Sequence, residues 1–108
     1  MRPALLVALV LASGPAMAAS TKGLLDYCGD MPDNWKTPEV LRCSDALTIL
    51  QSVGPYMAPA FRFCAGEQTA LQLATTLRYY VRDHPEALSE DHIKVMSAAF
   101  RERWPCKD

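Results

Sequence analysis

The chain has 108 residues, which is enough for one domain with a small core. Its 11 basic and 12 acidic residues give a formal charge of −1. The charge becomes −2 without residues 1–18, where Arg2 is the only charged residue. Because the charges are well mixed and no basic run occurs, we expect no nucleic-acid partner.

Residues 1–18 have the pattern of a secretory signal peptide. Arg2 supplies positive charge, residues 4–12 are an unbroken apolar run, and Ala16-Met17-Ala18 fits the small-residue cleavage rule. An apolar run of nine residues is too short to cross a hydrocarbon core of about 30 Å. The sequence therefore predicts a periplasmic domain over residues 19–108, with no membrane attachment after cleavage.

Four cysteines remain in that domain, at positions 28, 43, 64 and 106. In an exported chain an even number of cysteines favours two disulfides, and a small domain commonly needs such cross-links. No Cys-x-x-Cys spacing occurs, which disfavours structural zinc and redox catalysis. Spacing alone leaves three pairings open.

Two helices are predicted in the first half of the domain. Residues 22–28 suit a short helix that ends near Gly29, and the turn-forming residues 30–34 predict a loop. Thr37-Pro38 then predicts the start of a second helix, which Gly54-Pro55 ends. Its central apolar stripe consists of Val40, Cys43, Leu47 and Leu50.

Residues 54–63 allow two interpretations. Pro55 and Pro59 indicate an irregular connection, whose aromatic residues would fill the core. Alternatively, the segment is an exposed, partly apolar loop that binds a partner, with Tyr56, Met57 and Phe61 as the contact residues.

A third helix is predicted from Thr69, because Thr69-x-x-Gln72 has the form of a capping box. His84-Pro85 ends it. Apolar residues recur at helical spacing along one face: Ala70, Leu73, Ala74, Leu77, Tyr80 and Val81.

A fourth helix is predicted from about Ser89, with Glu90 and Asp91 in its first turn and Pro105 after its end. Its predicted stripe consists of Ile93, Met96, Phe100 and Trp104, flanked by His92, Val95 and Ala99. No alternating run of strand length occurs in the domain. We expect an all-α fold, a small bundle of four to five helices cross-linked by two disulfides.

Helix geometry favours one of the three disulfide pairings. Residues 70–83 and 89–104 make helices of about 21 and 24 Å. A short link makes them antiparallel neighbours, so that Cys64 before the first lies beside Cys106 after the second. Cys28 and Cys43 then form the other pair.

Few side chains suggest chemistry. His84 and His92, with Glu86 and Asp91 nearby, could in principle hold a metal, but His84 at a helix end is better explained by capping or a backbone hydrogen bond. No catalytic serine motif, metalloprotease motif or phosphate-binding glycine loop occurs. We expect no catalytic residues, no metal and no cofactor, and therefore a binding protein rather than an enzyme.

Several short motifs follow one another in the second half of the chain: Phe63-Cys64, Thr69-x-x-Gln72-Leu73, Tyr80-x-x-x-His84-Pro85-Glu86 and Pro105-Cys106. They are preceded by Cys28, Cys43 and the signal peptide. In this order they resemble the motifs of the type VI secretion amidase immunity proteins (the Rap/Tai immunity domain). The resemblance covers essentially the whole mature chain. It implies a helical periplasmic protein that binds and blocks a peptidoglycan amidase toxin, often as a dimer.

A second hypothesis needs no toxin. An export signal, helices and disulfides also suit a small periplasmic structural or stress-related protein, for example a chaperone-like one. Neither hypothesis predicts catalysis, and both depend on which surface of the domain is free to bind.

Overall fold

Four α-helices build the part of the chain that the computed structural model describes, residues 20–29 and 37–107. They are α1 (Thr21–Tyr27), α2 (Pro38–Val53), α3 (Ala70–Asp83) and α4 (His92–Arg103), with 3₁₀ turns at Gly54–Tyr56 and Pro85–Ser89. Within these residues there is no β-strand, only a single antiparallel bridge between Ser20 and Asp91. The predicted all-α bundle is confirmed. The signal peptide (1–18), its cleavage point and the loop at 30–34 lie outside the described residues.

Each helix begins at a side chain that accepts a hydrogen bond from the first turn. Such a bond satisfies a backbone N–H that has no partner within the helix. At Thr69 both halves of the predicted capping box form: Gln72 N–H donates to the Thr69 hydroxyl at 3.1 Å, and Thr69 N–H donates to the Gln72 side chain at 2.7 Å. The other caps are Ser20, Thr37 and Asp91.

The predicted start of the last helix at Ser89 is wrong by about one turn. Residues Pro85–Ser89 form a 3₁₀ turn, and α4 begins only after Asp91, whose carboxylate accepts from Lys94 N–H at 3.0 Å. Asp91 is therefore the cap and not a first-turn residue. The Asp91 cap, and not the 3₁₀ turn before it, therefore determines where α4 begins.

The predicted stripe of α4 is also partly wrong. Ile93 is exposed and Trp104 only half-buried, whereas Met96 and Phe100 are fully buried as expected. The buried face of α4 comprises Val95, Met96, Ser97, Ala99 and Phe100. The face that meets the core is thus rotated from the predicted stripe toward the residues that were expected to flank it.

The core lies where one face of each helix meets the others. α2 contributes the predicted stripe, and Leu73 and Leu77 of α3 are fully buried. The Phe63 ring, from the loop before α3, packs edge-on against Phe100 with 5.3 Å between ring centroids. The core therefore includes one aromatic side chain that belongs to no helix.

Both predicted disulfides are present. Cys28 bonds Cys43, 15 residues apart, and Cys64 bonds Cys106, 42 residues apart. Next to the second bond, Cys64 N–H donates to the Trp104 carbonyl at 2.9 Å. The hairpin of α3 and α4 is closed at this end by one covalent bond and one hydrogen bond.

The short helix α1 is held by residues far away in the sequence. Thr21 is fully buried, and both its N–H and its hydroxyl donate to the Glu90 carbonyl, at 2.9 and 3.1 Å. At the other end of α1, Arg78 Nη2 of α3 donates to the Cys28 carbonyl at 2.7 Å. A helix of seven residues is unstable alone, so these contacts and the Cys28–Cys43 bond hold α1 in place.

Candidate partner-binding surface

A run of 16 residues, 46–61, contains no Asp, Glu, Lys, Arg or His. It covers the second half of α2, the 3₁₀ turn Gly54–Tyr56 and the loop that follows. Nine of its residues are exposed, and all of them except Ser52 are apolar: Ile49, Val53, Pro55, Tyr56, Ala58, Pro59, Ala60 and Phe61. We call these eight residues the Tyr56 surface.

The helical part of this surface comes from the solvent side of α2. Ile49 is 64% exposed, and Val53 lies one turn further along the same face. α2 therefore has apolar residues on two faces, one in the core and one in solvent. Burial in the core does not account for the second face, and exposed apolar residues that cluster often mark an interface.

The loop part supplies two aromatic rings. Tyr56 is 87% exposed and Phe61 is 42% exposed. Met57, the third residue predicted to contact a partner, is half-buried and packs against the core. The two interpretations of residues 54–63 thus each describe a part of the segment, because Phe63 fills the core while Tyr56 and Phe61 face solvent.

Four contacts, one of them within the loop itself, hold this loop in place. Phe63 N–H donates to the Gly54 carbonyl at 3.3 Å, and the Phe63 ring lies directly against Gly54. Phe61 N–H donates to the Ala58 carbonyl at 2.8 Å, which closes a tight turn. Arg101 of α4 donates to the Ala60 carbonyl. The aromatic rings therefore project from a loop that is fixed at both ends, and little order has to be gained on binding.

The composition of the surface determines what it can bind. Interface cores are enriched in aromatic residues and depleted of charges, because burying an unpaired charge costs free energy. The Tyr56 surface can be buried against an uncharged, apolar region of another protein without stranding a charge. Apart from the Tyr56 phenol, it carries no side-chain group that could act as an acid, a base or a metal ligand.

The histidines do not form the metal site that was considered. His84 lies at the end of α3, where its ring stacks on Tyr80 with 4.3 Å between centroids, and its Nδ1 is 3.8 Å from the Glu86 carboxylate. His92 is half-buried on α4. Over residues 20–29 and 37–107 no cluster of three His, Cys, Asp or Glu side chains could hold a metal ion.

The fold raises the pKa of the Tyr80 phenol. Burial raises its pKa above the ordinary value of 10.0, and the carboxylates of Glu102, Glu86 and Glu90 raise it further. Free tyrosine is already protonated at physiological pH, and the upward shift of the pKa favours the protonated form further. Tyr80 is therefore a neutral packing residue of the hairpin and not an activated acid or base.

Ser89 and Ser97 have no catalytic arrangement either. Ser89 donates its hydroxyl to the Glu86 carbonyl at 3.2 Å, within the 3₁₀ turn. Ser97 is buried on α4, and no hydrogen-bond partner for its hydroxyl lies among the described residues. A nucleophilic serine needs a base within hydrogen-bond distance. The contact of Ser89 is with a backbone carbonyl, and Ser97 has no such contact among the described residues.

Comparison with known protein families, characterised proteins and solved structures gives no significant match for this chain. The likeness to the amidase immunity proteins therefore depends on the motifs in the sequence, and it stays a prediction. No helix in the described part of the chain combines the length and apolar character needed to cross a membrane. The two disulfides are compatible with a secreted or periplasmic protein.

Sequence reasoning found the loop part of the Tyr56 surface and missed the helical part. Ile49 and Val53 lie beside the predicted central stripe of α2, and apolar spacing alone cannot tell whether such residues face the core or solvent. The absence of charge from residues 46–61 was the available signal.

Proposed function

We propose that this chain is a non-catalytic periplasmic binding protein that neutralises a peptidoglycan amidase toxin of type VI secretion. The observation that carries the proposal is the Tyr56 surface, an exposed and charge-free apolar region. The order of motifs from Phe63 to Cys106 supports the choice of partner, by resemblance to the immunity proteins.

The surface has what a tight interface needs at its centre. Truncation of a buried aromatic anchor typically costs about 2 kcal/mol or more of binding free energy, and a few such residues dominate most interfaces. Tyr56 and Phe61 can serve as two anchors, and Ile49 and Val53 extend the apolar area along α2. A partner bound here would bury about 800 Å² of this chain if the interface has the usual size.

Neutralisation follows if the partner's apolar region borders its substrate cleft. A rigid domain seated there excludes the peptidoglycan strand by volume alone, and this chain needs no catalytic group. The disulfides support this role, because they stabilise the small domain outside the cytoplasm.

The experiment uses the secreted chain, purified from the periplasm, and the peptidoglycan amidases encoded by the same genome. Titration calorimetry measures the dissociation constant, and release of soluble peptide from peptidoglycan measures inhibition. We expect one amidase to be bound and inhibited in proportion to the amount of chain added. If no amidase from that genome is bound or inhibited, the proposal is wrong.

The second candidate is the structural or chaperone-like periplasmic protein. The observation in its favour is that large apolar side chains are also exposed away from the Tyr56 surface, at Leu41, Tyr79 and Ile93. A chaperone-like protein would bind an apolar dye more strongly at low pH and would suppress aggregation of unrelated unfolded proteins. An immunity protein would do neither and would bind one folded enzyme.

A further inference from the structure

The two disulfides lie in different surroundings. Cys28 and Cys43 are fully buried in the core. Cys64 is exposed and Cys106 is half-buried, so their bond lies at the surface. Exposed disulfides are the ones that external thiols reach, whereas buried ones react only after the surrounding structure opens.

The buried bond is closed off by the contacts of α1. To reach it, α1 must leave α2, and the hydrogen bonds of Thr21 to Glu90 and of Arg78 to Cys28 must break. Those contacts join the first helix to α3 and to the connection between α3 and α4. Opening at Cys28–Cys43 is therefore close to unfolding of the whole domain.

The surface bond needs no such opening. Residues 62–66 around Cys64 have no helix or strand, and they link the loop of the Tyr56 surface to the cap of α3. Phe63 and Ala65 in this segment are buried, whereas Cys64 and Gly66 are exposed, so that Cys64 meets solvent while the core stays closed. Cys64 is thus the cysteine that an external thiol meets first, without any opening of the fold.

Non-covalent contacts span the same gap as the surface bond. Cys64 N–H donates to the Trp104 carbonyl at 2.9 Å, and Phe63 is fully buried beside Phe100. In addition, Gln68 N–H donates to the Gln51 side chain at 2.7 Å, which holds the segment before α3 against α2. These contacts remain when the sulfur–sulfur bond is cut. Reduction at this place therefore leaves the core and α3 in position.

We propose that Cys64–Cys106 is a thiol–disulfide exchange site, for which the reactant is the thiolate of an external dithiol. One thiolate attacks the Cys64 sulfur, forms a mixed disulfide, and displaces the Cys106 sulfur as a thiolate, which takes a proton from water. The second thiol of the reactant, after losing its proton, attacks the mixed disulfide and releases Cys64. Two electrons pass in total: the dithiol becomes a disulfide and the pair 64/106 becomes two thiols.

This inference does not depend on the proposed function. It assigns the two disulfides separate roles: Cys28–Cys43 holds the fold, and Cys64–Cys106 exchanges with thiols while the fold persists. The source of the thiolate can be a small dithiol or a dithiol protein of the thioredoxin type, and the two are separated by experiment.

The test exposes the folded, oxidised chain to dithiothreitol in one arm and to a reduced thioredoxin-type protein in the other, without denaturant. Samples are quenched at intervals by alkylation, and mass spectrometry locates the label. We expect two labels, on Cys64 and Cys106, before any label appears on Cys28 or Cys43, and an unchanged far-ultraviolet circular dichroism spectrum. Labelling in the first arm alone assigns the site to small thiols, and labelling in both extends it to dithiol proteins.

The control is the variant Cys64→Ser/Cys106→Ser, which should gain no label under the same conditions. If that variant does not fold, the spectrum of the half-reduced wild-type chain answers the same question. First labels on Cys28 or Cys43, simultaneous labels on all four cysteines, or loss of helical signal with the first two labels would overturn the proposal.

Discussion

The Phe63 ring lies directly against Gly54. A Cβ atom built on Gly54 would be 2.7 Å from two atoms of that ring and 2.9 Å from the Phe63 carbonyl oxygen. Because the ring is fully buried, it cannot swing into solvent to make room. This contact fixes the point where α2 ends and the place where the chain re-enters the core below the Tyr56 surface.

The first prediction concerns that contact. Gly54→Ala should lower the free energy of unfolding by about 1–3 kcal/mol, because the added methyl group overpacks the core. Urea denaturation measures the change. Ser52→Ala, on the solvent side of the same helix, is the control and should stay within about 0.5 kcal/mol of wild type. Equal effects of the two variants would show that the ring adapts.

The second prediction concerns the hydrogen bond from Arg78 to the Cys28 carbonyl. Arg78→Ala should cost about 1.5–3 kcal/mol, since it removes a charge-assisted hydrogen bond and leaves a carbonyl at the end of α1 without that partner. Arg82→Ala, one turn later on α3, removes a stacking contact with Tyr79 and an exposed ion pair with Asp83, and it should cost less than about 1 kcal/mol. Hydrogen exchange should show α1 opening more readily in Arg78→Ala. Unchanged protection of α1 would contradict the assignment.

The third prediction concerns the capping box of α3. Thr69→Ala should destabilise the chain by about 1 kcal/mol, because a backbone N–H of the first turn loses its acceptor. Thr76→Ala in the middle of the same helix is matched in chemistry and should be neutral or slightly stabilising, since alanine is the better helix former. Thermal unfolding compares the two variants. A larger loss for Thr76→Ala would refute the account.

The fourth prediction concerns pH. The pKa of Tyr80 is raised in the folded chain, first by burial and then by Glu102, Glu86 and Glu90. Above the ordinary value of 10.0 the unfolded chain therefore loses this proton before the folded chain does. The unfolded state then binds fewer protons, and stability falls as pH rises. The contribution of Tyr80 to stability is fully present below its pKa in the unfolded chain. It is lost as the pH rises through its pKa in the folded chain.

Tyr80→Phe should reduce the fall in stability between about pH 9 and about pH 11. Urea denaturation across this range measures it, and tyrosinate absorbance follows the titration directly. Tyr79→Phe, on the exposed side of the same helix, controls for the loss of a hydroxyl. If both variants flatten the pH dependence equally, the effect does not belong to Tyr80.

The fifth prediction concerns the Tyr56 surface. Tyr56→Ala/Phe61→Ala should weaken amidase binding by about tenfold or more, which is a loss of about 1.4 kcal/mol or more. Thermal stability should stay near that of wild type, because both rings are exposed. Tyr79→Ala removes another exposed tyrosine, on α3, and should bind as wild type does. A folded double variant with unchanged affinity would place the interface elsewhere.

Local signals in the sequence predicted much of the fold. A side chain that caps a helix acts within three residues, so the starts of α2 and α3 could be read directly at Thr37 and Thr69. The disulfide pairing followed from helix length, which is also local. The start of α4 was misplaced because Ser89 and Asp91 both have the chemistry of a cap, and only the course of the preceding turn selects Asp91.

Contacts between distant residues were not predictable in this way. The bond from Arg78 to Cys28 spans 50 residues, and the Gln51 side chain pairs with the Gln68 backbone across 17. The residues adjacent to them in the sequence do not indicate these partners. The helical part of the candidate surface was missed for a related reason, because the choice between two apolar faces of α2 is made by the other helices.

The pairing of the cysteines has a consequence for how the protein is made. Cys28 joins Cys43 and Cys64 joins Cys106, so each bond links two cysteines that are consecutive in the chain. Suppose that an oxidant acts on the chain as it emerges, amino end first, and joins each new cysteine to the unpaired cysteine before it. Of the three possible pairings, only this one then results. Biogenesis then requires no reshuffling of bonds. Refolding of the fully reduced chain, which has no such order of emergence, does require the right partners to be chosen.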